Sequence, residues 1–313
     1  MAEITAKLVQ ELREKTSAGM MDCKKALVEN DGDVQAAADW LRQKGIVKAA
    51  SKSGRAATSG LVTVVKCDGM GCVVELNVET DFVAKNDKFQ KLVADVAAKA
   101  LEVYSGCGCK CETACDCAEK CFAKVNDAMS DEVKNLIATI GENMNIRRIS
   151  AVGGEHIYTY VHNALVLGMG QIGVVVALND VAGLPPEALA KGGADEVGPK
   201  IAMHIAANKP EFMTIADVDP AAVEREKKIF IESGATAGKP EQIAEKMIAG
   251  RVQKYYGESV LEEQPFVMDP SKTVKQVLAD AGVTLSGFAY YLLGEGLQKR
   301  DDNLADEVAK MLG

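Results

Sequence analysis

Apolar residues spaced three or four positions apart open the chain and predict a small bundle of three helices. Ile4, Leu8 and Leu12 share one helix face, a second helix starts at Met20, and Asp33 stands where it can cap a third. The third helix is predicted to run through residues 40 and 41. Residues 51–60 are rich in small and polar side chains and predict a flexible linker. A bundle of about 40 residues buries little surface, so it is expected to be an adaptor attached to a larger unit.

The spacing of apolar residues then changes to two, which predicts strands. Runs rich in β-branched residues at 61–65 and 72–78 flank a turn at 68–71, and a helix follows from about Asp87. The same order recurs about 97 residues later, with strands at 157–161 and 172–178 and a helix that carries Ile201 and Ile205. Because only two copies are present, the pattern favours a duplicated α+β unit over a solenoid.

A strongly charged helical segment, interrupted at residues 233–240, predicts an antiparallel helical hairpin that projects from the core. Its apolar stripe, through Val223, Phe230, Ile243 and Met247, is thin, and the sequence leaves open whether a second copy or another protein covers it. Beyond the hairpin, residues 264–268 predict a strand, 270–273 the start of a helix, 286–293 another strand, and 304–312 an amphipathic helix.

The predicted fold class is α+β, divided into five parts. The division is a three-helix partner-binding module (1–55), a first core unit (56–140), a second core unit (141–212 with 250–294), a helical hairpin (213–249) and a C-terminal helix module (295–313).

Composition and charge exclude several classes of function. A chain of 313 residues with 48% hydrophobic and 26% charged residues is typical of a globular protein. It contains no apolar run of the roughly 18 residues that a membrane span needs. The N-terminus does not resemble a targeting segment, so a cytoplasmic location without membrane contact is expected. Acidic residues outnumber basic ones by 45 to 36, and the net charge of −9 argues against a direct nucleic-acid binder.

No enzyme active site stands out from the sequence. Gly168, Gly170 and Gly173 spell G-x-G-x-x-G, which in a dinucleotide-binding fold precedes a helix. Here the residues that follow, 174–178, favour a strand, so a turn is the preferred interpretation and a dinucleotide-dependent enzyme the alternative. The three histidines do not belong to a hydrolase or metalloprotease motif.

The segment ETDFVAKND, residues 79–87, follows a predicted strand and is expected to form a loop at the tip of the sheet. Taken alone, it has an ordinary structural interpretation in which Phe82 is a core residue and Asp81 a helix cap.

Six motifs, in this order along the chain, change that interpretation. They are TSAGMMDCKKAL (16–27), TDFVAK (80–85), IGENMNIRR (140–148), AMHIAANKPEF (202–212), PEQIAEKMIAGR (240–251) and QPFVMDPSKTV (264–274). Together they resemble the elongation factor Ts family, whose members are exchange factors for the GTPase elongation factor Tu. The resemblance implies a ubiquitin-associated-type N-terminal domain, a duplicated core, a coiled-coil hairpin and a C-terminal helix. It implies no enzyme chemistry and no required cofactor.

The resemblance also implies which residues contact the partner, in its GDP-bound and nucleotide-free forms. The segment from Thr80 to Val83 would place Asp81 and Phe82 beside the nucleotide site, where they displace Mg²⁺ and GDP so that GTP can rebind. Met20, Met21 and His162 would be further contacts, as would the helix at 304–311. In some family members the hairpin pairs two molecules, which makes a homodimer a second expectation.

One feature departs from the family pattern. Six of the nine cysteines fall within fifteen residues, at Cys107, Cys109, Cys111, Cys115, Cys117 and Cys121. Such spacing suits a thiolate-bound metal ion such as Zn²⁺, and the alternative is a polar loop with reduced, unligated cysteines. Any metal is expected to act as a local staple or redox-responsive element and to take no part in exchange. A metal-storage or redox protein is a third function class, but it leaves most of the chain without a purpose.

Overall fold

The computed structural model describes residues 4–16, 18–107, 116–182 and 193–297, and they form a mixed structure of helices and antiparallel sheet. Three helices open the chain: α1 (Ala6–Thr16), α2 (Met20–Glu29) and α3 (Val34–Lys52). Leu12, Cys23 and Leu27 fill the space between them. Asp33 caps α3 by accepting hydrogen bonds from the backbone N–H groups of Gln35 and Ala36, which confirms the predicted helix start.

The predicted linker at 51–60 is shorter than expected. Helix α3 continues to Lys52, the first strand begins at Ser59, and the side-chain amide of Asn143 donates hydrogen bonds to the carbonyls of Ser53 and Arg55. The reason is tertiary packing, because α3 lies against a later helix, α7 (Ser130–Ile140). The composition of residues 51–60 alone does not predict the packing of α3 against α7.

Six strands form one antiparallel sheet. They are β1 (Ser59–Cys67), β2 (Met70–Val78), β3 (Met144–Gly153), β4 (His156–Val166), β5 (Met169–Asp180) and β8 (Val283–Leu292). The order is β3-β2-β1-β5-β4, and β8 also pairs with β5. Both predicted hairpins, β1–β2 and β4–β5, are present in antiparallel register.

The two halves of the sheet pack face to face. Val62, Val73 and Val175 belong to the apolar cluster between them. Two glycines permit the close approach: a Cβ on Gly71 would lie 2.5 Å from Cγ1 of Val175, and one on Gly173 would lie 2.6 Å from Cγ1 of Val62. These distances are far below van der Waals contact, so both positions require glycine.

Helices cover the outer faces of both halves. The first half carries α4 (Asp81–Ala84), α5 (Asp87–Ser105), α6 (Asp116–Ala128) and α7. The second carries α8 (Gly193–Asn208) and α11 (Val274–Asp280). Alternate residues of β2 and β5 face these helices, which accounts for two further apolar clusters on either side of the sheets.

The charged segment predicted as a hairpin forms a 3₁₀ turn (Ile215–Asp217) and the paired helices α9 (Pro220–Glu232) and α10 (Glu241–Ser259). Arg251 of α10 donates to the carboxylate of Glu226 on α9 at 2.9 Å. No residue of α9 is fully buried, and Ile229, Ile231 and Ile243 are exposed.

The segment after the hairpin corrects two predictions. A 3₁₀ turn (Leu261–Glu263) precedes a strand, β6 (Pro265–Phe266), that is shorter than the predicted 264–268. The residues expected to begin a helix form β7 (Asp269–Thr273) instead, because β6 and β7 pair as a small hairpin. Thr273 then caps α11.

The predicted helix at 304–312 lies outside the described residues, and the predicted domain boundaries stay predictions. Among the helices of the described ranges, none is both long enough and apolar enough to cross a membrane.

Candidate partner-binding site

The segment TDFVAK forms a short helix rather than the expected loop. Thr80 is its N-cap and accepts a hydrogen bond from the backbone N–H of Val83 at 3.5 Å, and Asp81 lies in the first turn. A threonine followed by an acidic residue favours a helix start at this point. Asp81 is therefore not the cap, which corrects the ordinary interpretation of this residue.

Helix α4 has one buried and one exposed side. Val83 and Ala84 are buried and pack against the core of the first half. Phe82 points the other way, with 79% of its surface exposed, so the interpretation of Phe82 as a core residue is wrong. A large aromatic side chain is held in water by a helix whose other face is fixed in the core.

The base of α4 is fastened to the junction between α7 and β3. The carboxylate of Glu142 accepts two hydrogen bonds from Thr80, one from Oγ1 at 2.8 Å and one from the backbone N–H at 3.0 Å. The neighbouring backbone N–H of Asn143 donates to Glu79 at 2.5 Å, and the other carboxylate oxygen of Glu79 lies 3.5 Å from the guanidinium of Arg55. Sequence reasoning missed Glu79 and Glu142 in this role, since the two segments that they join are more than sixty residues apart.

Two charged side chains, Lys85 and Asp81, lie beside the exposed ring of Phe82. Lys85 donates a hydrogen bond to the carboxylate of Asp81 at 2.8 Å, and its ammonium nitrogen lies 5.9 Å from the centre of the Phe82 ring. The hydrogen bond from Lys85 is the main cause that lowers the pKa of Asp81 below its ordinary value. Asp81 is thus an ionised carboxylate beside an exposed aromatic ring.

The other predicted contact residues lie on separate elements. Met20 and Met21 form the first turn of α2 and are 60% and 75% exposed. His162 is exposed near the end of β4, where its Nδ1 lies 3.1 Å from the hydroxyl oxygen of Tyr160. Leu167, in the turn between β4 and β5, is fully exposed, and sequence reasoning did not single it out.

The glycines at 168–173 serve packing and a turn. Gly168 has a φ of +78° between β4 and β5, and a Cβ on Gly170 would lie 2.7 Å from the carbonyl oxygen of Asn163. Strand β5 continues through Gly173 to Asp180, so the helix that a dinucleotide site needs is replaced by a strand. The alternative of a dinucleotide-dependent enzyme is therefore wrong.

Three of the clustered cysteines come together. Cys107 follows α5, Cys117 and Cys121 lie on α6, and their three sulfur atoms all lie within 4.8 Å of one another. The Sγ–Sγ distances are 2.7 Å from Cys107 to Cys117 and 3.9 Å from Cys117 to Cys121. The remaining predicted ligands, Cys109, Cys111 and Cys115, lie outside the described residues.

Among the described residues, large apolar side chains are exposed on α2 and α4, and an exposed histidine lies on β4. A family model described as Elongation factor TS matches residues 79–295. The chain is 50% identical to the elongation factor Ts of Hyphomonas neptunium, with 99% of each chain covered, and 48% identical to that of Ruegeria sp. TM1040, with 98% of each covered. It is also 46% identical to that of Rhodospirillum centenum over the full length of both. The chain belongs to the elongation factor Ts family.

Family membership assigns the chain to translation elongation and to nucleotide exchange. It implies elongation factor Tu as the partner and a mode of action without covalent chemistry.

Proposed function

We propose that the chain promotes release of GDP from elongation factor Tu by inserting Asp81 and Phe82 of α4 beside the partner's nucleotide site. The observation that carries this proposal is a 79% exposed aromatic ring on a helix whose base is anchored on two sides. Because Thr80 and Glu142 fix the helix before binding, little conformational freedom is lost when Phe82 enters the partner.

The magnitude of the effect follows from the burial of the ring. Transfer of one Phe side chain from water into an apolar pocket contributes roughly 1.5–3 kcal/mol. If this pocket of the partner is present only in the partner conformation that binds nucleotide weakly, burial of the ring stabilises that conformation. The free energy then corresponds to a loss of about one to two decades in the partner's nucleotide affinity. The remaining stabilisation of the nucleotide-free partner must come from other contacts.

Asp81 adds an electrostatic component. Mg²⁺ binds nucleotide phosphates and protein oxygens in near-ideal octahedral geometry, so small displacements of its ligands weaken binding sharply. An ionised carboxylate carried in with the wedge repels the phosphates and offers a competing oxygen to the metal ion. The ion pair with Lys85 keeps Asp81 charged without burying it.

Met20, Met21 and His162 supply the affinity that holds the two proteins together in this scheme. The two methionines present flexible apolar surface, which adapts well to a partner. His162 presents a ring that the hydroxyl of Tyr160 orients. With a net charge of −9, the chain is proposed to contact its protein partner and no nucleic acid directly.

Thermodynamic linkage between nucleotide binding and factor binding explains how the factor leaves its partner. If the factor lowers the partner's affinity for nucleotide, bound nucleotide must lower the partner's affinity for the factor by the same ratio. GTP therefore displaces the factor, which is free to act again. The scheme needs no cofactor in the chain itself.

The test is release of fluorescently labelled GDP from purified elongation factor Tu. Phe82→Ala should reduce the acceleration by about one to two decades relative to the unmodified protein. Met268→Ala is a matched control, because Met268 is also an exposed large apolar residue but lies between β6 and β7. Equal acceleration by Phe82→Ala and the unmodified chain would remove the Phe82 ring from the mechanism and keep the exchange function. No acceleration by the unmodified chain would refute both.

A further inference from the structure

The sulfur atoms of Cys107, Cys117 and Cys121 form a compact group at the point where α5 gives way to α6. Two of them, Cys117 and Cys121, are one helical turn apart on α6, and Cys107 approaches from the end of α5. The elongation factor Ts resemblance assigns no role to this group.

The spacing of the sulfur atoms fits a common metal ion. With a Zn–S distance of about 2.3 Å and tetrahedral angles, ligand sulfur atoms lie about 3.8 Å apart. The distance from Cys117 to Cys121 is 3.9 Å, and all three atoms lie within 4.8 Å of one another. The distance of 2.7 Å between the sulfur atoms of Cys107 and Cys117 is shorter than the expected sulfur–sulfur distance. A side-chain rotation that moves one of these two half-buried sulfur atoms by about 1 Å would reach that distance.

The surroundings also suit a structural metal site. Cys121 is buried and packs with Val125 and Tyr104 in the core of the first half, whereas Cys107 and Cys117 are half-buried at its edge. The group is therefore walled by apolar side chains on one side and reachable from solvent on the other.

We propose that Cys107, Cys117 and Cys121 bind one Zn²⁺ ion as thiolates. Each sulfur–zinc bond forms as the thiol proton passes to solvent, so no oxidant or reductant is consumed. The three thiolates occupy three of the four tetrahedral positions, and water completes the set in the simplest case. Zn²⁺ is favoured over Mg²⁺ or Ca²⁺ because thiolate is a soft ligand and those ions prefer oxygen.

The site acts as a staple between α5 and α6. The two helices otherwise meet through apolar packing and a hydrogen bond of 3.2 Å from the Tyr104 hydroxyl to the carbonyl of Ala118. The staple is remote from the wedge, because α4 precedes the start of α5 and Cys107 follows its end, about 28 Å away along 19 helical residues. Loss of the metal should therefore lower stability and leave nucleotide exchange unchanged.

The experiment uses the full chain, purified under reducing conditions, freed of metal with a chelator and then titrated with Co²⁺ as a spectroscopic stand-in for Zn²⁺. We expect thiolate-to-cobalt charge-transfer absorption that saturates at about one equivalent and disappears when Zn²⁺ is added. Cys117→Ser should abolish it. Cys67→Ser is the matched control, since Cys67 is an exposed cysteine at the end of β1 and should leave the titration unchanged.

Two other readouts guard against a variant that fails to fold. In the unmodified protein, Zn²⁺ should slow alkylation of the cluster at least about tenfold and raise the midpoint of thermal unfolding. The proposal is overturned if Co²⁺ gives no charge-transfer absorption, or if the Zn²⁺-loaded protein is alkylated as fast as the metal-free one. It is also overturned if Cys107 and Cys117 are isolated from the native protein as a disulfide.

Discussion

Replacing Glu142 tests whether α4 acts as a pre-organised wedge. Glu142 lies between α7 and β3. Its carboxylate accepts hydrogen bonds from the hydroxyl and from the backbone N–H of Thr80, the residue that caps α4. Glu142→Ala removes both acceptors and leaves Phe82 itself intact. If the scheme is correct, a residue that need not contact the partner should still be required for fast exchange.

The size of the effect can be bounded from the geometry. A hydrogen bond to a charged acceptor contributes roughly 1.5–3 kcal/mol when it is well buried. Thr80 and Glu142 are only half-buried, so water replaces part of each bond and a loss of about 1–2 kcal/mol for the pair is reasonable. That loss raises the population of the opened α4 by about five- to thirtyfold. Glu142→Gln keeps one acceptor oxygen, so its population of opened α4 should fall between those of the unmodified protein and Glu142→Ala.

Two measurements on the same variants separate positioning from direct contact. Hydrogen exchange at residues 81–85 should accelerate moderately in Glu142→Gln and more strongly in Glu142→Ala. GDP release from elongation factor Tu should slow moderately in the first variant and more strongly in the second. Glu119→Ala, an exposed change of the same charge on α6, should alter neither. Slower GDP release with unchanged hydrogen exchange would refute the reasoning, because Glu142 would then act by touching the partner.

Three further predictions concern other parts of the chain. Met20→Ser combined with Met21→Ser should weaken the complex with elongation factor Tu at least about tenfold by calorimetry while thermal unfolding stays unchanged, since both residues are exposed. Ile229→Glu with Ile243→Glu should convert any homodimer to monomers in sedimentation, and a monomeric unmodified protein would contradict pairing through the hairpin. Burial lowers the pKa of His204, so the folded state favours the neutral ring and the free energy of unfolding should decrease as pH falls below about 6.5. Urea titrations should show this slope, up to about 1.4 kcal/mol per pH unit, and His204→Gln should remove it.

Elements specified by local chemistry could be predicted from the sequence. Asp33 caps α3 as expected, and the turn that joins β1 to β2, residues 68 and 69, falls within the predicted 68–71. Elements that depend on distant contacts could not. Helix α3 runs on to Lys52 because it packs on α7, where Gly45 approaches Ala138 so closely that a Cβ on Gly45 would lie 3.3 Å away. Residues 269–273 form a strand because β6 lies beside them.

The candidate site divides in the same way. The sequence identified the segment of Phe82 through its resemblance to a family, but periodicity alone allowed the ring to be in the core. Its exposure follows from the one-turn helix, which buries Val83 and Ala84 and turns Phe82 outward. The support from Glu142 joins residues 62 positions apart, and a single sequence contains no signal for that pairing.

The junction between α7 and β3 links two of the proposed contact surfaces. Asn143 holds the end of the N-terminal module through the carbonyls of Ser53 and Arg55, and its backbone N–H binds Glu79 at the base of α4. The adjacent Glu142 holds Thr80. We therefore predict that a force exerted by the partner on the N-terminal module would reach the base of α4 through these two consecutive residues. If the module docks against the partner as proposed, it does more than add affinity, because docking would also set the angle at which Phe82 is presented.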